Sequence, residues 1–341
     1  MTTRIFTIFA FLFFSAFAYA GEPGPEPASV APKDSYKVTA DFLLWNATED
    51  GLGWVATCPG GAGTIVMGCD VRQMQPDWRG GFRIGAGYQW SEDMWDVFGK
   101  WTWFQDSDYD QVTTVSSLFP IWLHPDVNNN IGRDSGSSWF KVKFNAFDFE
   151  LAKTFKPGSF FTLRPYVGLK GATIYQTMNN NFVGGAVTND NLNDSAYMSS
   201  DFGGLGFRGG FDYNWDLNWY GFSLFAKGAF SILFGKFKVD HLTRSAALAQ
   251  PTLTIAHVSD EFMTTKGVFE GALGINMHTT DLLGEEYPLD FYAMWEDQEW
   301  FKQNQFMLFM SDLTDDGKFI HDKGDLGLNG VTFGLALGFS I

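Results

Sequence analysis

The chain closes on VTFGLALGFSI, Val331 to Ile341, where every odd position is large and apolar and every even one is small. A repeat of two residues sends alternate side chains to opposite faces, so the stretch reads as a strand with one apolar face. The same alternation returns along the chain from Tyr36. Val38, Phe42 and Leu44 oppose Lys37 and Asp41; Trp78, Phe82, Ile84 and Trp90 oppose Arg79 and Arg83; Trp95, Val97, Trp101 and Trp103 oppose Asp96 and Lys100. Further on, Val167 and Leu169 oppose Arg164 and Lys170, Phe207 and Phe211 oppose Arg208 and Asp212, and Phe230 and Ile232 oppose Lys227. Leu273 opposes Glu270, and Phe291 and Trp295 oppose Asp290 and Glu296. Between Trp139 and Phe155 the parity slips near Ala146-Phe147, which predicts a bulge.

The pattern predicts an all-β chain of ten strands. Short connections near 91–94, 156–160, 215–218 and 280–286 alternate with long polar ones over about 47–76, 106–138, 179–199, 239–262 and 298–325. Hairpins with short turns at one end and long loops at the other describe a transmembrane antiparallel up-and-down β-barrel over 36–341. Closing it requires the last strand to pair with the first, so that no edge is left unpaired. Twelve strands is the alternative, with a further hairpin from GLGWVA and GTIVMG or from FMLFM, and it would widen the lumen. Trp78 and Trp90 share a face, and their spacing gives roughly 30 Å along a barrel axis at ~3.3 Å per residue and a ~40° tilt. With Trp95, Trp101, Trp103, Trp219 and Trp295 they are expected to form two aromatic girdles.

Residues 1–20 read as a secretory signal peptide, with Arg4, an apolar run from Ile5 to Phe17 and an A-x-A cleavage site. A proline-rich periplasmic tether follows at 21–35. Loss of Arg4 takes the net charge from −16 to −17, which argues against nucleic acid and against anionic membrane surfaces as partners. Cys58 and Cys69 are the only cysteines; one bridge between them is expected, with free thiols or bridges to other chains as alternatives.

The chemistry-bearing motifs are weak. GLGFRG (Gly204–Gly209) matches a dinucleotide fingerprint but lies inside a period-two strand with no helix after it. DLTDDGKFIHDK begins like a calcium loop, yet Lys323 stands where a bidentate glutamate belongs. The five histidines assemble no Ser–His–acid or Asp–His set by spacing, so no catalytic residue, metal or cofactor is expected. The charges opposite the apolar faces are more informative: Asp41, Arg79, Arg83, Lys100, Arg164, Lys170, Arg208, Asp212, Lys227, Glu270, Asp290 and Glu296 are the candidate lumen lining. Such charges either pair and fill the interior or line water and tune ion passage.

ADFLLWNATEDGLGWV (40–55), DWRGGFRIGAGYQW (77–90), WEDQEWFKQNQF (295–306) and GVTFGLALGF (330–339) resemble the major outer membrane protein family of Legionella and the Chlamydia-related bacteria. The resemblance implies an abundant outer-membrane barrel with porin activity and, in some members, surface adhesion. The leading expectation is therefore a diffusion porin for ions and small polar solutes, with a closed barrel binding host or matrix through its outer loops as the alternative. Expected partners are outer-membrane lipid and lipopolysaccharide, the barrel assembly machinery through 331–341, a host-surface ligand, and further copies in a homo-oligomer. The small inward residues Thr332 to Ser340 are expected to leave room along one wall.

Overall fold

A computed structural model describes residues 34–58, 68–127, 132–184, 193–246, 251–280, 287–310 and 318–340. The signal peptide, the tether up to residue 33 and the acidic start of the calcium-like stretch (311–317) lie outside the described residues. In chain order the strands are β1 (Ser35–Glu49), β2 (Gly53–Thr57), β3 (Asp70–Gln73), β4 (Arg79–Gln89), β5 (Trp95–Pro120), β6 (Arg133–Lys153) and β7 (Phe161–Val183). They continue with β8 (Asn193–Trp219), β9 (Phe222–Ala246), β10 (Leu253–Thr279), β11 (Leu289–Trp300), β12 (Met307–Phe309), β13 (Phe319–His321) and β14 (Leu326–Ser340).

Ten of these form a closed antiparallel wall in the order β1, β4–β11 and β14, and β14 returns to pair with β1. Tyr36 stacks on Phe339 and Phe42 faces Phe333 across that seam. The two extra hairpins do not enter the wall. Because β4 is short, the outer half of β5 has a free side, and β2 pairs there through Val55 and Pro120, with β3 beyond it. Cys58 and Cys69 are joined by a disulfide at the tip of this hairpin. β12 and β13 pair only with each other, so the wider twelve-stranded wall does not form.

The short turns and both ends of the wall lie at one rim, which in such barrels is the periplasmic one. Most of the expected long loops are instead strand. β8 runs for 27 residues, where a membrane crossing takes about 9–11. The segments 106–138, 179–199 and 239–262 largely continue the wall outward.

A change of face makes this extension possible. On β6, Phe147, Phe149 and Leu151 point out to lipid while Asp148 and Glu150 point in. Beyond Ala146 the roles reverse: Phe144, Val142 and Phe140 point in and are fully buried, while Asn145, Lys143 and Lys141 point out. The registers with β5 and β7 run unbroken through this point, so the expected bulge at Ala146-Phe147 is absent. The apparent slip is the boundary between two solvents: hydrocarbon rewards an apolar exterior, water an apolar interior. β9 shows the same change, with Phe230, Ile232 and Phe234 outward, then Lys236 and Lys238 outward and Phe237 and Val239 buried within. On β1 the exterior passes from Phe42 and Leu44 to Asn46 while Leu43 and Trp45 turn inward.

Candidate functional site

The lumen has two storeys. The membrane-level storey is a polar vestibule of about 620 Å³, lined from the periplasmic rim by Lys37, Gln89, Thr162 and Asp290 and ending among paired charges. Arg83 on β4 grips Glu296 on β11 with two nitrogens at 2.8 and 2.9 Å and reaches Asp41 on β1 at 3.3 Å. Across the lumen Lys170 lies 2.9 Å from Asp148 and 2.8 Å from Glu270, and Arg208 also pairs with Glu270. Lys100 binds Glu150 at 3.1 Å, and Arg164 joins Glu150 at 3.2 Å to Asp212 at 2.7 Å and to Asp96. Cations on β4, β5, β7 and β8 thus meet carboxylates on β1, β5, β6, β8, β10 and β11. Each buried charge depends on its partner, since an unpaired one would carry its desolvation cost alone.

The outer storey has an apolar core. Trp45, Trp54, Phe104, Phe144, Phe182, Phe237 and Trp300 are all fully buried and belong to one apolar cluster. The segment between β11 and β14 folds into it: Phe306 and Met307 are fully buried, and the Met307 carbonyl lies 2.8 Å from His241 Nδ1. Arg83 stands over the Trp45 ring at 5.4 Å and Lys170 over the Trp300 ring at 5.6 Å, so cation–π contacts join the two storeys.

Most of the expected lumen residues are brought together here: Asp41, Arg83, Lys100, Arg164, Arg208, Asp212, Lys227, Glu270, Asp290 and Glu296 line the vestibule, and Lys170 is buried at its end. Arg79 stands apart, half-exposed, with its guanidinium 3.5 Å from Asp106 on the outer storey. Asp148 and Glu150 join the set only once the parity of β6 is read without a bulge, and Asp96 was visible on the charged face of β5. The room expected beside the small residues of β14 is occupied. The Tyr292 ring lies where a Gly334 side chain would sit, and Pro288 crowds Gly338.

Of the girdle candidates, Trp90, Trp95 and Trp219 are exposed near the periplasmic rim, while Trp78 packs against Trp295 at 5.9 Å at the other boundary. Trp103 stacks on Phe82 at 5.4 Å, and Trp101 stacks on Phe147 at 5.9 Å. The Asp–His pairs that spacing did not reveal include His321–Asp260 at 3.1 Å and His278–Asp290 at 2.8 Å. These two lie at opposite ends of the molecule, the first on the outer storey and the second at the periplasmic rim.

Among solved structures, the outer membrane protease OmpT of Escherichia coli is similar at 8% identity and a TM-score of 0.40, over 93% of this chain and 99% of that one. A FadL homologue of Pseudomonas aeruginosa is similar at 9% identity and a TM-score of 0.28, over 90% of each chain. A major outer membrane protein of Thermus thermophilus is similar at 10% identity and a TM-score of 0.29, over 90% of this chain and 99% of that one. No curated protein matches the chain in sequence. The model of the Legionella pneumophila major outer membrane protein precursor family matches residues 30–339, and with a closed ten-stranded barrel beneath that match the chain belongs to this family of bacterial outer-membrane proteins.

Proposed function

We propose that this outer-membrane barrel works closed, as a structural and surface-presenting element without catalytic activity, and that its polar vestibule ends blind. One observation carries the reading: among the described residues, the outer storey above the Arg83 and Lys170 pairs has a core of side chains with no solvent exposure, Trp45, Phe144 and Trp300 among them. Ten strands enclose little more than packed side chains, and a hydrated solute crossing this layer would need to part a core of protein density. The storey beyond the membrane then serves as a rigid pedestal for the outer hairpins, one of them tied by Cys58–Cys69. The porin reading draws its support from the charge-lined vestibule and requires the plug to move.

Planar-bilayer recording separates the two. Folded wild-type protein is expected to give no discrete steps, whereas Trp45→Ala, Phe144→Ala and Trp300→Ala combined should admit ions. Stable ohmic steps from the wild type, altered in selectivity by Lys170→Glu, would establish the porin instead.

A further inference from the structure

Beyond the apolar band, the outside of the wall carries an ordered sequence of chemistries. Across β6 to β9 the band ends on one cross-strand row, with Phe147, Leu205 and Phe234 its apolar members. The rows two to six residues farther out hold Lys141 and Lys143 on β6 and Lys236 and Lys238 on β9, with Tyr175 on β7 and Asp201 on β8 in the row between Lys143 and Lys238 and Asp240 on β9 in the row of Lys141. Eight residues out, roughly 26 Å along the strands at ~3.3 Å per residue, a row crosses four strands as Tyr109, Trp139, Asn179 and Tyr197. Tyr109, Trp139 and Tyr197 are 58%, 39% and 42% exposed, and the row continues through Leu242 on β9 to His257 on β10.

We propose that the outward faces of β5 to β8 dock the anionic glycolipid of the outer leaflet, with Lys141 and Lys143 on its phosphates and the Tyr109–Trp139–Tyr197 row against its sugar rings. The order along β6, apolar at Phe147, then cationic at Lys143 and Lys141, then aromatic at Trp139, is the order within such a lipid: acyl chains, phosphates, oligosaccharide. The docking face continues the band that acyl chains already contact, and it turns toward the leaflet rather than away from the cell. Tyr109 and Trp139 stand on neighbouring strands, about 4.8 Å apart, close to the spacing of consecutive pyranose rings, and Asn179 stands between Trp139 and Tyr197 as a hydrogen-bonding group. Lys141 and Lys143 hold no ion pair among the described residues, whereas Lys236 pairs with Glu261 at 2.6 Å and Lys238 lies 3.9 Å from Asp240. The β6 side is therefore the one that faces the phosphates. An anion held in one plane along the membrane attracts cations that face it at that height. The proposal is independent of whether the lumen is open.

Purified protein in detergent would be titrated with lipopolysaccharide carrying its full core oligosaccharide, with lipopolysaccharide cut back to its phosphorylated acyl base, with phosphatidylglycerol and with the free oligosaccharide. Native mass spectrometry would count the bound lipid, and heat-modifiability on gels would confirm folding. Lys141→Glu with Lys143→Glu is expected to weaken both lipopolysaccharides about tenfold or more. Trp139→Ala with Tyr197→Ala should weaken only the full-core form, and bring it down to the affinity of the truncated one. Folded double variants that bind both lipopolysaccharides like the wild type would overturn the proposal. So would equal affinity for phosphatidylglycerol, or binding of the free oligosaccharide as tight as that of the intact lipid, which would point to a soluble glycan.

Discussion

Two residues at the outer end of the lumen carry protons in ways their neighbours dictate. Glu49 lies on β1 past Asn46, outside the membrane band, with Gln176 donating to one carboxyl oxygen and the other buried without a partner. Burial, with Asp322 and Asp50 nearby, pushes it from 4.5 up to about 8. The folded chain therefore keeps a proton that the unfolded chain releases, and the group's contribution to stability declines as pH rises from 4.5 to about 8. Glu49→Gln keeps the shape and removes the titration. Its advantage in unfolding temperature over the wild type should be larger at pH 8 than at pH 5. A constant difference across that range would show that Glu49 titrates normally. His241 acts from the other side: seven positions past Phe234, burial pushes its ring from 6.5 down to about 4, so its stabilising contribution fades as pH falls through that window.

At the scale of the strand, the change of face on β6 is open to direct measurement. Nitroxide labels placed one at a time at Phe149, Phe147, Asn145 and Lys143 share one side of the wall. Collision with oxygen, which partitions into lipid, should dominate at the first two, and collision with an aqueous nickel chelate at the last two. Lipid-like readings at all four would move the boundary outward and undo the two-storey arrangement. This boundary also marks what was legible in the sequence and what was not. Where one face is apolar and the other charged, as from Trp95 to Trp103, or small, as along VTFGLALGFSI, alternation alone identified the strand, its lipid side and the closing seam. Farther out the exterior is Thr173, Tyr175, Thr177 and Asn179 on β7 and Asp201 on β8, a mostly polar composition that reads as loop. The inward Ile174 and Met178 were then too sparse a signal to be recognised as a core. The vestibule charges were legible because each faced an apolar neighbour, whereas Asp148 and Glu150 were hidden by a parity break taken for a bulge.

For the whole molecule, the plug makes the part beyond the membrane a folded body rather than a fringe of loops. A protease added to intact cells should therefore cut only at the hairpin tips, and the ten wall strands should still migrate together as one heat-modifiable band. Trp45→Ala with Trp300→Ala deletes two of the largest fully buried side chains, a loss of about 3–5 kcal/mol each. In that variant, cuts should appear within the outer halves of β5 to β10. Wild-type cleavage throughout those halves would show that the outer storey is not packed.

The exchange of faces also determines which genetic changes this wall can absorb. An ordinary barrel takes insertions of any length outside the membrane, because its strands have ended and only loop is lengthened. Here the outer halves of β6 and β9 are held in phase with the membrane halves by unbroken ladders. One extra codon between Ala146 and Phe147 would turn Phe140, Val142 and Phe144 to water and Lys141 and Lys143 into the plug, while every residue below stayed in place. Length variation in this chain is thus confined to the hairpin tips and to paired steps of two, and the strand interiors are as intolerant of a one-residue change as a reading frame is of a one-base change.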